Sequence, residues 1–249
     1  MTPRHDGRAP DELRPIEIVP HYLDNPAGSV LIHCGRTRVL CTASIDDRTP
    51  PFLHGSGEGW VSGEYCMIPA ATDKRGTREI HRGRPSGRTM EIQRLIGRAM
   101  RSVVDRTALG ERTIWVDCEV LQADGGTRTT AITGGFLAMC LAIGTLRKDG
   151  SLKRPPLTGR IAATSVGIVE GRPVLDLDYV EDSAADVDMN VVRTDAGRYV
   201  EIQGTGENAT FARDDLDGLL ELADVGIERL LAQQKELLGD LLPLIVREP

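Results

Sequence analysis

The sequence predicts an α+β domain in which helices pack on mixed or antiparallel sheets. Three observations carry that class. The chain opens with β-rich runs rather than βαβ crossovers, stretches of helical apolar period interleave with strictly alternating ones, and no linker or low-complexity segment separates them. The first of these also excludes a doubly wound nucleotide-binding sheet.

Each element follows from its own pattern. Residues 29–34 and 37–45 are β-rich and flank Gly35-Arg36, a tight hairpin turn. Residues 46–59, with Pro50, Pro51, Gly55, Gly57 and Gly59, read as an irregular surface loop. Residues 60–68 form another strand. A basic stretch follows, too poor in apolar residues for a core element and therefore projecting from the body. Beyond Arg88, Ile92, Leu95, Ile96, Ala99, Met100, Val103 and Val104 recur at three and four, the apolar face of a helix with Ser86 as N-cap and Gly110 past its end. Residues 113–121 alternate strictly, with Ile114, Val116, Cys118 and Val120 on one face. After Asp124-Gly125-Gly126-Thr127-Arg128-Thr129-Thr130, a second apolar helix runs over 131–146. Residues 160–169 pair with 173–179 around Glu170-Gly171-Arg172, and 187–193 pair with 198–203 around Asp195-Ala196-Gly197. A last helix over 214–238 buries Leu216, Leu219, Ala223, Ile227 and Leu230, and its acidic first turn, Asp214-Asp215, suits the positive end of the helix dipole.

With 249 residues, 40% apolar and 27% charged, the chain is long enough to bury a core without disulfide staples, which excludes disordered and collagen-like classes. Residues 1–240 read as one domain and 241–249 as an apolar C-terminal tail that packs on its own body or a neighbouring copy. No stretch approaches the roughly 20 apolar residues of a membrane span. The start, Met1-Thr2-Pro3-Arg4-His5-Asp6, lacks the apolar core of a signal peptide, so the expected location is cytoplasmic. Cys34, Cys41, Cys66, Cys118 and Cys140 are odd in number and lack Cys-x-x-Cys spacing, which predicts reduced core thiols rather than zinc or disulfides.

The net charge of −7 argues against a generic nucleic-acid coat but hides a segregation. Between residues 72 and 88 stand six cations (Lys74, Arg75, Arg78, Arg82, Arg84, Arg88) and two acids. Between 176 and 188 stand six acids (Asp176, Asp178, Glu181, Asp182, Asp186, Asp188) and no cation. Such a pattern fits a polyanion track and a metal or acid site, or else two solvated loops.

The sharpest local signal is the strand, Gly125-Gly126-Thr127-Arg128-Thr129-Thr130, helix succession. Glycines bring backbone N–H groups close to a ligand, the helix N-terminus adds partial positive charge, and Thr and Arg side chains add donors. The turn suits phosphate but is not a P-loop, because Gly-x-x-x-x-Gly-Lys-Ser/Thr is absent. Arg88 lies in the first turn of its own helix, where a cation is unfavourable unless an anion lies nearby. Arg94, Arg98 and Arg101 read as solvated or interface charges on the polar face. Asp186 and Asp188, two apart on a strand, share a face, with Asp182 in the entering loop. Clustered carboxylates of this kind stay ionised if hydrated or neutralised, and hard oxygen ligands suit Mg²⁺. No Ser-His-Asp or Cys-His arrangement can be assembled from the five scattered histidines.

Several blocks together resemble ribonuclease PH. They are Arg4-His5-Asp6-Gly7-Arg8 with Glu12-Leu13-Arg14-Pro15, Pro50-Pro51-Phe52-Leu53, Ser86-Gly87-Arg88-Thr89-Met90-Glu91-Ile92-Gln93-Arg94-Leu95-Ile96-Gly97-Arg98, Gln122-Ala123-Asp124-Gly125-Gly126-Thr127-Arg128-Thr129, Glu181-Asp182-Ser183 through Asp188-Met189-Asn190-Val191, and Glu201-Ile202-Gln203-Gly204-Thr205-Gly206-Glu207. They run in order from residue 4 to about 238. The resemblance implies a ribosomal protein S5 domain 2-like fold, duplicated as two β-rich and helical halves, and a homo-hexameric ring built as a trimer of dimers. It implies phosphorolysis of precursor tRNA 3′ ends, with inorganic phosphate as co-substrate and release of nucleoside 5′-diphosphates. The family's phosphate site falls on Arg88, Gly126, Thr127 and Arg128. Its acidic pair falls on Asp182 and Asp188, expected to hold Mg²⁺, with Asp188 as general acid and Asp182 chiefly as metal ligand. The basic stretch becomes an RNA-docking loop, with Arg75 and Arg78 at family tRNA-contact positions and Arg82 and Arg84 downstream. One departure stands out: Ala70-Ala71-Thr72 replaces the Arg-Ala-Thr of many members. Two alternatives stay open, a metal-dependent hydrolytic 3′ nuclease and a non-catalytic RNA-binding ring subunit.

Overall fold

The computed structural model describes residues 4–247, apart from the side chains of Ile80 and Arg82. The N-terminal sheet contains β1 (Ile16–Pro20), β2 (Gly28–Cys34), β3 (Thr37–Asp46), β4 (Trp60–Met67) and β5 (Thr113–Gln122), in the order β1-β2-β3-β5-β4. All neighbours are antiparallel except β4 and β5. A parallel pair needs a long crossover. Here it contains helix α1 (Gly87–Arg101) and the short α2 (Arg106–Leu109). After β5 comes α3 (Thr127–Lys148). The second sheet, in the order β7-β6-β8-β9, is antiparallel throughout: β6 (Ile161–Val169), β7 (Arg172–Leu175), β8 (Val187–Thr194) and β9 (Tyr199–Gly206). Between β7 and β8 lies α4 (Tyr179–Ala184), and α5 (Arg213–Leu238) and α6 (Leu242–Ile245) close the chain.

The core is centred on α3, which packs against β2, β3 and β5 of the first sheet and β6 of the second. Meeting a sheet in both halves requires apolar residues all round the helix, and Ile132, Phe136, Leu137, Met139 and Ile143 are fully buried. For the same reason α3 is, among the described residues, a helix long and apolar enough to cross a membrane by composition, contrary to expectation. Its apolar stretch is 94% buried inside the molecule. The tail packs on its own body. Leu241 presses on the backbone of Gly144, Ile245 is fully buried, and the Ile245 carbonyl accepts the Leu157 N–H at 3.0 Å. All five cysteines are free thiols, four of them buried.

Four expectations need correction. β1 has no counterpart among the expected strands, because its half-exposed Ile16-Glu17-Ile18-Val19 is short and edge-placed. α3 begins at Thr127 rather than near residue 131, so the threonines and Arg128 form its first turn. β7 ends at Leu175, and part of the acidic run is helix: Asp178 accepts the Glu181 N–H while the Glu181 carboxylate accepts the Asp178 N–H, a complete capping box. Arg101 is not a free surface charge: it is half-buried, its guanidinium lies 4.2 Å from the Trp60 ring centroid, and it donates to the Val61 carbonyl at 2.8 Å.

Candidate active site

The Gly125-Gly126 turn owes its shape to two left-handed residues, φ +74° and +64°. A Cβ at Gly125 would stand 2.6 Å from the Leu177 carbonyl oxygen and the Asp178 backbone. Only glycine therefore lets this turn press against the start of α4. Thr37 pins the turn from the other side, its hydroxyl donating to the Gly125 carbonyl at 2.7 Å and accepting the Asp124 N–H at 2.9 Å. Gly126 is the N-cap of α3 and has no side chain to bond the first N–H groups, leaving the positive end of a 22-residue helix without a side-chain cap.

The threonines divide their work. Thr129 and Thr130 turn back to donate to the Gly126 carbonyl at 2.9 and 2.8 Å, so they stabilise the turn rather than reach outward. Thr127 accepts from the Tyr65 hydroxyl at 2.9 Å, which leaves its own proton to donate.

Arg88 and Arg128 meet at one cleft of about 540 Å³, which Asp182, Asp188, Asn190, Gln203 and Glu207 also line. Gly126 and Thr127, which directly precede Arg128, are not among the residues that line it. Ser86 caps α1 as the sequence predicts, accepting the Thr89 N–H at 3.1 Å, and this fixes exposed Arg88 at the second helical position. Arg128 is held from two elements: Nη1 is 2.5 Å from Gln203 Oε1 on β9 and 3.4 Å from Glu91 Oε1 on α1. Gln203 in turn donates to Glu91 at 2.7 Å. Sequence reasoning assigned no role to Gln203 or Glu91. The helical spacing of Glu91 from Arg88, three residues, was the one available signal.

The acids come from α4 and β8. Asp182 sits one residue beyond the capping Glu181, and Asp188 is the second residue of β8. Asp186 does not join them. It precedes the strand, so strand alternation does not apply, and its carbonyl accepts the N–H groups of Glu207, Asn208 and Ala209. Burial, reinforced by the Asp182 charge, pushes the Asp188 carboxyl up to about 6, with Arg128 opposing. Burial also raises Asp182, against the pull of Arg88 and Arg128. Asp188 Oδ1 is buried without a hydrogen-bond partner among the described residues. An orphaned carboxylate oxygen beside a second carboxylate is a hard-oxygen donor set, and it fits a divalent cation such as Mg²⁺.

The basic segment carries its described cations on the surface. Arg75, Arg78 and Arg84 are exposed, while the side chain of Arg82 lies outside the described residues.

Residues 12–143 match domain 1 of the 3′ exoribonuclease family, and residues 159–226 match its domain 2. The chain belongs to that family. It is 61% identical over 241 residues to a ribonuclease PH of Bacillus subtilis (strain 168), covering 96% of this chain and 98% of the relative. To a ribonuclease PH of Bacillus velezensis it is 60% identical over 241 residues, with the same coverage. Among solved structures, rice Rrp46 superimposes with TM-score 0.75 at 19% identity, over 95% of this chain and 100% of that one. A chain of the Archaeoglobus fulgidus exosome with RNA bound to the active site gives 0.76 at 21%, over 93% and 92%. These two likenesses show the ribonuclease PH fold, the one expected. The close full-length relatives make the chain a phosphate-dependent 3′→5′ exoribonuclease, a nucleotidyltransferase that acts on RNA.

Proposed function

We propose that inorganic phosphate binds between Arg88 and Arg128, at the positive end of α3 that the Gly126-Thr127 turn opens, and that the enzyme trims precursor tRNA 3′ ends with Asp182 and Asp188 as its acid and metal-binding pair. The observation that carries this reading is the convergence, in one cleft, of two arginines from different helices with two carboxylates whose protons are held up by burial. Phosphate and phosphodiester are both anions, so bringing them together requires clustered positive charge. A hydrolase would need no such pair for a free phosphate.

In the reaction a phosphate oxygen attacks the phosphorus of the last phosphodiester. The bond to the 3′ oxygen breaks, a nucleoside 5′-diphosphate leaves, and the 3′ oxygen takes a proton. Arg88 and Arg128 orient the attacking phosphate and offset the negative charge, while Gln203 and Glu91 keep Arg128 aimed. Asp188, pushed up to about 6, keeps a protonated fraction near neutral pH that an ordinary carboxyl would not, and this form donates to the departing 3′ oxygen. Asp182 would chiefly hold Mg²⁺, which when bound supplies electrostatic stabilisation of the transferring phosphoryl group.

Arg75, Arg78, Arg82 and Arg84 serve as the RNA-docking track, the ring is a homo-hexamer built as a trimer of dimers, and the enzyme is cytoplasmic. Each phosphate contact removed should lower the slope of log affinity against log salt by about 0.7–0.9. Arg75→Ala with Arg78→Ala is therefore expected to flatten the salt dependence of tRNA binding by about 1.5 units, as measured by filter binding.

The function itself is tested on a tRNA with a short 3′ extension in Mg²⁺, with and without inorganic phosphate. Nucleoside diphosphates are expected only when phosphate is present. Monophosphates formed without phosphate would contradict the reading.

A further inference from the structure

The segment from Arg4 to Arg14 is distant from the cleft in sequence yet lies beside both of its halves. Arg4 grips Glu181 with two bonds, Nε to Oε1 at 2.7 Å and Nη2 to Oε2 at 2.5 Å, and both side chains are only 5% exposed. Its Nη1 also donates to the Leu175 carbonyl at 2.8 Å. Arg8 donates to the Asp176 carbonyl at 2.9 Å and lies 3.4 Å from Glu181 Oε2. Arg14 binds the Asp176 carboxylate three times, through its backbone N–H at 2.8 Å, Nε at 3.0 Å and Nη2 at 2.6 Å. Its Nη1 then reaches the Asp124 carbonyl at 2.5 Å.

Two of these partners lead straight to the site. Glu181 precedes Asp182 on α4 and closes its capping box. Asp124 opens the Gly125-Gly126 turn, and Arg14 lies so close beneath Gly126 that a Cβ there would stand 2.9 Å from Nη2. Asp176 adopts φ +54°, a left-handed conformation that these bonds hold in place. Although burial opposes ionisation, the Arg14 hydrogen bonds and charge keep Asp176 below the ordinary carboxylate range. Buried ion pairs add little net stability over apolar packing, because desolvation consumes most of the Coulombic gain. A network this buried, joined to both halves of one cleft, fixes geometry.

We propose that this N-terminal arm positions the active site: Arg14 sets the phosphate turn, and Arg4, acting through Glu181, sets the helix that carries Asp182. The proposal rests on the reading of the cleft given above and adds that one segment keeps its phosphate and acid halves in register. Arg4 and Arg14 are positioning residues, acting through Glu181 and the Asp124 carbonyl.

The test uses Glu181→Gln, which keeps shape and removes the charge facing Arg4, and Arg14→Lys, which keeps charge and loses the fork. Phosphorolysis is measured against phosphate and Mg²⁺ separately, and inorganic phosphate is titrated calorimetrically into each folded variant. Glu181→Gln is expected to lower kcat about tenfold or more and to raise the Mg²⁺ needed for half-activity, with phosphate affinity within about twofold of the parent. Arg14→Lys is expected to weaken phosphate binding about tenfold and leave the Mg²⁺ dependence unchanged. Equal loss of kcat, phosphate affinity and Mg²⁺ response in folded variants, or no loss at all, would overturn the proposal. If either variant fails to fold, Arg4→Lys and Asp176→Asn give the same two readouts. Arg128→Ala and Asp188→Asn run alongside as controls. Full activity in both controls would overturn the reading of the cleft, whereas inactive controls beside unaffected arm variants would overturn the arm alone.

Discussion

Replacing Arg128 by alanine is expected to lower kcat/KM for phosphorolysis by about 10³-fold, with much of the loss in the KM for phosphate. Arg128 reaches the cleft from the first turn of α3, so its charge adds to the positive end of that helix. The groups that hold it cannot replace it. Gln203 and Glu91, which hold its guanidinium, supply an amide and a negative charge, and without Arg128 the carboxylate of Glu91 would repel the incoming anion. The fold should tolerate the change, because Arg128 lies at the cleft rather than in the apolar core. Steady-state kinetics at varied phosphate, together with a thermal melt showing an unchanged midpoint, would check both halves of this expectation.

Asp188→Asn is expected to reduce kcat by about 10²–10³-fold while stabilising the fold near neutral pH. The first effect follows from losing the proton donor to the 3′ oxygen. The second follows from linkage. The Asp188 pKa rises from its ordinary 3.8 to about 6 on folding, chiefly by burial. Stability from that group is complete below about pH 4 and is lost as pH rises through 6. At pH 7.5 the buried charge therefore destabilises the wild type by about 2–3 kcal/mol, a burden asparagine does not carry. Urea unfolding in EDTA should show the variant level with the wild type at pH 4 and more stable at pH 7.5. A constant difference across that range would contradict the assignment of the shift to Asp188.

The fold was legible where local chemistry and tertiary packing agree. Strict alternation over residues 113–121 gave β5, and the three-and-four spacing from Ile92 to Met100 gave α1 with Ser86 at its start, but the helix ends at Arg101, short of Val103 and Val104, and Gly110 closes α2 instead. It was less legible where a short element depends on distant partners. α4 is six residues long, too short to show a helical period, and its capping box is reinforced by Arg4 and Arg8 from the far end of the chain. Arg88 could be singled out as a cation at a helix start, Arg128 as a donor in a Gly-rich turn ahead of a helix, and Asp182 and Asp188 as members of a carboxylate cluster that repels itself without a ligand. Gln203, Glu91 and the arm residues carry no such local anomaly. Their roles exist only once β9, α1 and the N-terminal segment meet around the cleft.

The most direct test of the central claim follows the atoms of the phosphate. Wild type and Arg128→Ala are supplied with ³²P-labelled inorganic phosphate, Mg²⁺ and a tRNA bearing a short 3′ extension, and the released nucleotides are separated. The account predicts label in the β-phosphoryl group of nucleoside 5′-diphosphates from the wild type, and almost none from Arg128→Ala under the same conditions. Equal labelling by both proteins would contradict the phosphate site described here, and unlabelled monophosphates from the wild type would contradict phosphorolysis itself.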